Sequence, residues 1–383
     1  MKNNFEQFNR REVDEDKGEK PFGEATKEET ELSEELKEYQ RQGQEMIDAY
    51  RKFFITFAKD VSLSFKMSNG FFIDLETGEV NLDTKWFAEK GYSKDQILWA
   101  ILHELSHFRD LAQDPKRMME NFDHIMGQAK KTGAVMMDKW EEKYKDSDPE
   151  FVAGLKKQRP VNPDNPAKTL NAVERAAYKI HDTFYNIFDD IYVNNLVAAK
   201  APKYEEGEKG GEEVKKLYAE KLFAKTDYRK SPRHLQFLYK LIREEMVKDE
   251  EFDLSDEVKS VMDKKIKFQG KEYTPKEIVE AFIKPKSGRD VKAGQRHFVL
   301  QKTLEPIFEY LLAHDLAEWK PKKPLPRKGK GGEGESQGGS ANPFDAEYED
   351  YEKNNPDQID PNDIKKWIDQ KTDAKKKNEK AEA

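Results

Sequence analysis

His103 and His107 frame the sequence His103-Glu104-Leu105-Ser106-His107. On a helix, positions i and i+4 stack on one face, so this spacing presents two imidazoles to one metal ion. Glu104 sits roughly 100° further round, within reach of a water held by that ion without itself being a ligand. The flanking Ile97, Leu98, Ile101, Leu102, Leu105 and Phe108 are apolar on nearly every side, the composition of a helix at the centre of a domain. Buried imidazoles and a buried carboxylate need a partner, and a cation supplies one. The alternative is two core histidines held by ordinary hydrogen-bond acceptors.

A second stretch, Asn171 to Lys200, carries the next candidate. Val173, Ile180, Phe184, Ile187, Ile191 and Ala198 form one apolar face at helical spacing. Asp190 falls at the edge of that face, with Asn186 and Asn194 one turn to either side. An acid at a core boundary flanked by amides suits a third zinc ligand with hydrogen-bonded support. Asp189 falls on the opposite side of the wheel and is expected to face water. Glu174 and His181 project away from the apolar face, while His181 and Tyr192 remain candidates for lining a cleft. His234, behind Ser231-Pro232, is a candidate second electrophile or else a surface residue. His124, among charged residues, reads as a surface histidine, and His297 and His314 have no motif around them.

These residues need elements to hold them. Glu29 to about Lys59 has helical periodicity in Leu32, Leu36, Tyr39, Met46, Tyr50, Phe53, Phe54 and Phe57. The period then changes, and Val61 to Phe65 alternates. Phe71 to Leu75 and Val80 to Leu82 flank Glu76-Thr77-Gly78-Glu79, which predicts a strand followed by a hairpin. An edge strand there could pair with an extended peptide; capping the core is the other role open to it. Ser93 is the expected N-cap of the metal helix, with Gln96 completing a capping box. After Asp114-Pro115 the chain reads as polar helix to about Tyr144, then as loop over Asp146 to Pro166. Further amphipathic helices are expected over about Pro232 to Val247, Glu277 to Ile283 and Phe298 to Trp319.

Composition sets the outer bounds. Charged residues make up 38% of the 383 and hydrophobic ones 36%, as expected of one folded body with solvated tails. The expected division is a disordered N-terminus over 1–28, a folded domain over 29–319 and a flexible charged tail over 320–383 with a short helix near Pro361 to Lys371. The tail passes from basic (Lys320 to Lys330) through Gly/Ser-rich to an acidic, aromatic segment that could dock a protein partner. There are no cysteines, hence no disulfide and no thiolate metal site. A net charge of −8 argues against general nucleic-acid affinity. No signal-like apolar segment and no ~20-residue apolar run is visible, which predicts a soluble, cytoplasmic protein without membrane contact.

The His103–His107 motif in its apolar setting resembles the zincin metallopeptidases. Asp110 and Gln113 stand where the metzincin branch requires glycine and histidine. Asp190-Ile191-Tyr192-Val193-Asn194 is instead similar to the later helix that supplies the acidic ligand of gluzincins. The Asn-Ile-x-x-Asp-x-x-x-Asn pattern also resembles bacterial metallopeptidase domains found with von Willebrand A proteins and MoxR-type ATPases. Asp is one methylene shorter than the usual gluzincin Glu, so the two helices must approach more closely. The resemblance implies an α+β, predominantly helical zincin-like domain holding Zn²⁺ through His103, His107 and Asp190. It implies peptide-bond hydrolysis with Glu104 as general base, acting on a peptide or protein substrate. The competing expectation is a non-catalytic metal-binding scaffold working through its tail, and the discriminator is a metal position left open to water.

Overall fold

The computed structural model describes residues 34–322, apart from 69–71, 75–76, 84–91, 158–168, 224–227, 249–252 and 286–289. The expected disordered N-terminus, most of the charged tail and its short helix lie outside the described residues.

Helix dominates what is described, with two small sheets. Helix α1 (Glu34–Ala58) leads into strands β1 (Ser64–Ser68), β2 (Phe72–Asp74) and β3 (Glu79–Asp83). The hairpin expected from the alternation is β2–β3, antiparallel, with Phe72 opposite Asn81 and Asp74 opposite Glu79. Gly78 takes φ +69° at the end of its turn, a conformation that costs a glycine little. Strand β1 pairs parallel to β3 from Ser64–Glu79 to Ser68–Asp83, so among the described residues β3 is central and β1 and β2 are outermost. Leu63, Val80 and Leu82 enter the core, whereas Val61 is exposed and precedes the strand.

Helix α2 (Lys94–Gln113) carries the His103–His107 motif and starts as its sequence requires. The Ser93 hydroxyl accepts from the Gln96 N–H at 3.3 Å, and the Gln96 side-chain oxygen accepts from the Ser93 N–H at 2.9 Å. Pro115 disfavours helical backbone at Asp114, which adopts φ −146°, ψ 53°, and the chain restarts as α3 (Pro115–Tyr144). The segment expected to be a loop after Tyr144 holds a short helix, α4 (Pro149–Lys156), begun by Asp148 accepting from the Phe151 N–H. Asp-Pro reads as a turn, but Pro also fits the first helical position, and here capping wins.

Helix α5 (Ala172–Lys200) is the hub. Asn171 caps it, with Glu174 closing the box. It is buried on nearly all sides and packs on α2, along α3, and on α6 (Lys209–Leu217) and α7 (Arg233–Met246) or the turns beside them. At its start the backbones of α3 and α5 meet closely: a Cβ on Gly133 would lie 3.0 Å from the Cα of Glu174.

The remainder is α8 (Asp256–Met262), the hairpin β4 (Ile266–Phe268) and β5 (Lys271–Tyr273), and α9 (Pro275–Ile278), which runs into a π-helical turn. Gln269 and Gly270 both have positive φ in the β4–β5 turn, the twist that two-residue hairpins favour. The long helix expected over Phe298 to Trp319 is two helices, α10 (Ala293–Thr303) and α11 (Glu305–Glu318). Pro306 lacks an N–H and cannot continue α10, but suits the first turn of α11. Among the described residues no helix is long and apolar enough to cross a membrane.

Candidate metal centre

Helices α2 and α5 bring His103, His107 and Asp190 together, with their ligand-type atoms all within 4.8 Å of one another. His107 Nε2 lies 3.1 Å from His103 Nε2. Asp190 Oδ1 is 3.5 Å from the first imidazole nitrogen, on His103, and 3.3 Å from that of His107. In a tetrahedral zinc site with bonds of about 2.0–2.1 Å, neighbouring donor atoms are about 3.3 Å apart. The three observed separations bracket that edge length, so the donor set fits a small tetrahedral cation.

The hydrogen bonding around His103 supports the same conclusion. His103 Nδ1 lies 2.8 Å from Asn194 Oδ1, while Asn194 Nδ2 donates to the Tyr218 hydroxyl at 2.7 Å and to Met246 Sδ at 3.4 Å. With its amide hydrogens committed to Tyr218 and Met246, Asn194 presents its oxygen to Nδ1. That ring nitrogen therefore carries a proton, and Nε2 is the nitrogen turned towards His107 and Asp190. A metal-ligating histidine is normally held in this way.

Electrostatics make the pocket attractive to a cation. Burial would raise the pKa of Asp190, but hydrogen bonds and charge from His103 and His107 hold its carboxyl well below the usual carboxylate range. Burial works against protonation of His107, yet the hydrogen bond and charge of Asp190, aided by Asp189 and Asp110, lift its pKa above the ordinary value. Two imidazole nitrogens in contact beside a buried carboxylate need either a shared proton or a cation between them. Glu104 stands at the rim with Oε1 4.0 Å from His103 Nε2, close to the group but outside its triangle of donors. The side chains of Glu104 and His107 keep 13% and 18% exposure against 5% for Asp190, so the centre opens towards solvent on their side.

Asp189 corrects the helical-wheel expectation. It is buried, not facing water: Oδ1 accepts from Arg296 Nη2 at 2.8 Å, and Oδ2 lies 3.1 Å from His297 Nε2. Burial opposes its ionisation, but His297 and Arg296 outweigh it and hold the carboxyl low. Its oxygens are therefore committed, which leaves Asp190 to the histidine pair. The wheel failed because α5 is covered on both faces, and α10 covers the side that looked free.

Tyr192, a candidate for lining a cleft, is buried with its ring under the Arg296 guanidinium at 3.7 Å. Two positions beyond Asp190, it cannot share a helix face with it. His181 lies nine residues before Asp190, about 13 Å along the axis, and bonds to Thr132 Oγ1 at 2.8 Å. It is buried in the core and lines no part of the centre. His234 is not a surface residue: it is fully buried, with Nδ1 2.7 Å from Asp315 Oδ2. His124, expected at the surface, is half-buried with Nε2 2.9 Å from Glu305 Oε1. Its aromatic neighbour Tyr185 donates to the same carboxylate.

Two contributors carry no local sequence signal. Tyr218 opens the π-helical turn after α6 and supports Asn194, with Trp99 edge-on to it at 5.6 Å and tilted against His103 at 5.1 Å. Arg296 on α10 is fully buried behind the centre. A hint was present in Asp110, an acid three residues after His107 in an apolar helix, which requires a buried cation somewhere. No protein-family model, no curated protein and no solved structure matches the chain.

Proposed function

We propose that this chain is a zinc-dependent metallopeptidase of zincin type, with His103, His107 and Asp190 as metal ligands and Glu104 as general base. The observation that carries the reading is the arrangement of three protein donors at tetrahedral spacing with a carboxylate beside them that is not one of the three. Structural zinc is usually closed by four protein ligands, whereas catalytic zinc keeps a position for water. Two nitrogens and one oxygen are also a donor set that suits zinc better than magnesium or calcium.

Bound zinc supplies the electrophilic chemistry, acidifying a water towards pKa ~7 and polarising a peptide carbonyl. The rest falls to the chain. Glu104 takes the proton of the attacking water and returns it to the leaving amine. Asn194 keeps the His103 proton on Nδ1, and the apolar body of α2 keeps the ligands from swinging into other rotamers. Among the described residues strand β2 is outermost in its sheet and packs on α2, and in this reading it is the strand that would align an extended peptide.

The test is zinc content and peptide hydrolysis measured together on wild type and Glu104→Gln. One zinc per chain in both, with hydrolysis of a mixed peptide library in the wild type alone, supports the assignment. Zinc without hydrolysis in the wild type favours the scaffold reading.

A further inference from the structure

Both ligand helices carry a second acid next to the metal group, and both acids end on one side chain. Asp110 follows His107 by one turn on α2, and Asp189 precedes Asp190 on α5. Arg296 Nη1 donates to Asp110 Oδ1 at 3.1 Å, and Nη2 donates both to Asp110 Oδ2 and to Asp189 Oδ1, the latter at 2.8 Å. Nη1 also donates to the Val291 carbonyl at 2.6 Å, and the guanidinium lies 3.7 Å over the Tyr192 ring. The side chain has no exposure.

We propose that Arg296 is the positioning residue of the metal centre, setting the separation of α2 and α5 and through it the distance from His107 to Asp190. This rests on the metal reading given above. Asp190 approaches the histidines on a short side chain, so the centre tolerates little relative sliding of the two helices. Apolar packing alone is permissive of small slides, whereas a planar, forked donor bound to one carboxylate through two oxygens and to a second through one is not. Charge serves the same end. Arg296 supplies the counter-charge to Asp110 and Asp189, and His297 Nε2 also bonds to Asp189, so Asp190 is left for the imidazoles and a cation. A lysine at this position would keep the charge but not the fork, which makes the conservative variant informative.

The experiment measures Zn²⁺ affinity by chelator competition, and the visible spectrum of the Co²⁺-loaded protein, for wild type, Arg296→Met, Arg296→Lys and Asp110→Asn. Leu312→Ala, a core truncation on α11, serves as the control for general loss of stability. Arg296→Met and Arg296→Lys are expected to weaken zinc binding at least ~10-fold and to shift the Co²⁺ bands, as does loss of a support behind a ligand. Leu312→Ala is expected to change neither. Folded Arg296 variants with wild-type affinity and spectrum overturn the proposal. If Arg296→Met does not fold, Arg296→Lys and Asp110→Asn decide it by the same two readouts. A wild type that binds neither Zn²⁺ nor Co²⁺ removes the metal reading itself and the inference with it, an outcome distinct from variants that match a metal-loaded wild type.

Discussion

His103 and Asn194, 91 residues apart in the chain, meet with Nδ1 2.8 Å from Oδ1 in the buried space between α2 and α5. One hydrogen bond thus decides which face of an imidazole is free for chemistry. Asn194 can play this part because Tyr218 and Met246 hold the other end of its amide. Asn194→Ala is expected to weaken zinc binding by about 10-fold or more, since His103 then loses its fixed tautomer and orientation. Tyr218→Phe leaves Asn194 in place and is expected to have a smaller effect. Chelator competition on both variants checks the order.

Glu104 is close to the donor group but not part of it. Glu104→Gln removes the proposed proton acceptor at almost constant shape. It is expected to retain zinc while hydrolysis falls by at least ~100-fold. Metal content and initial rates on the same preparation check this, and a variant with full proteolytic activity sinks the assignment.

Neighbouring Asp189 and Asp190 are expected to respond differently to truncation, Asp190→Ala in zinc stoichiometry and Asp189→Ala in stability, with weaker zinc binding following from loss of the Arg296 contact. Asp190→Ala removes a proposed ligand and should abolish stoichiometric zinc while the apo protein stays folded. Asp189→Ala leaves Arg296 short of a buried counter-charge, at a stability cost of about 3 kcal/mol. Denaturant melts of the metal-free proteins beside zinc content separate the two effects. Zinc lost only with Asp189→Ala would contradict the ligand set.

His181 carries a pH prediction. Burial, followed by the nearby charges of His234, His124 and Lys131, pulls its pKa down to about 3. Below its ordinary pKa of about 6.5 the unfolded chain takes a proton that the native chain refuses. The stabilisation is therefore complete above that value and is lost as pH falls from there towards 3, by about 1.4 kcal/mol per unit. His107 is shifted the other way, and its contribution is lost as pH rises, so the comparison must be between proteins. The wild-type stability curve minus that of His181→Gln should slope downwards with acid between pH 6 and 4.5. Parallel curves would show that His181 is protonated in the native state.

Sequence by itself determined what depends on local periodicity. The i, i+4 histidines, the apolar body of α2, the capping box at Ser93, the β2–β3 hairpin and the place of Asp190 beside Asn194 all follow from residues within a few turns of one another. Helical spacing and cap chemistry act at that range. Tertiary structure decided what depends on partners far along the chain. Asp189 looks solvent-facing on a wheel, and only α10, folded back from 107 residues away, makes it an internal counter-ion. Tyr218, Arg296 and the parallel pairing of β1 with β3 have the same origin. A buried charge needs a partner, but nothing in its own neighbourhood says which residue will supply it; that is settled when helices pack.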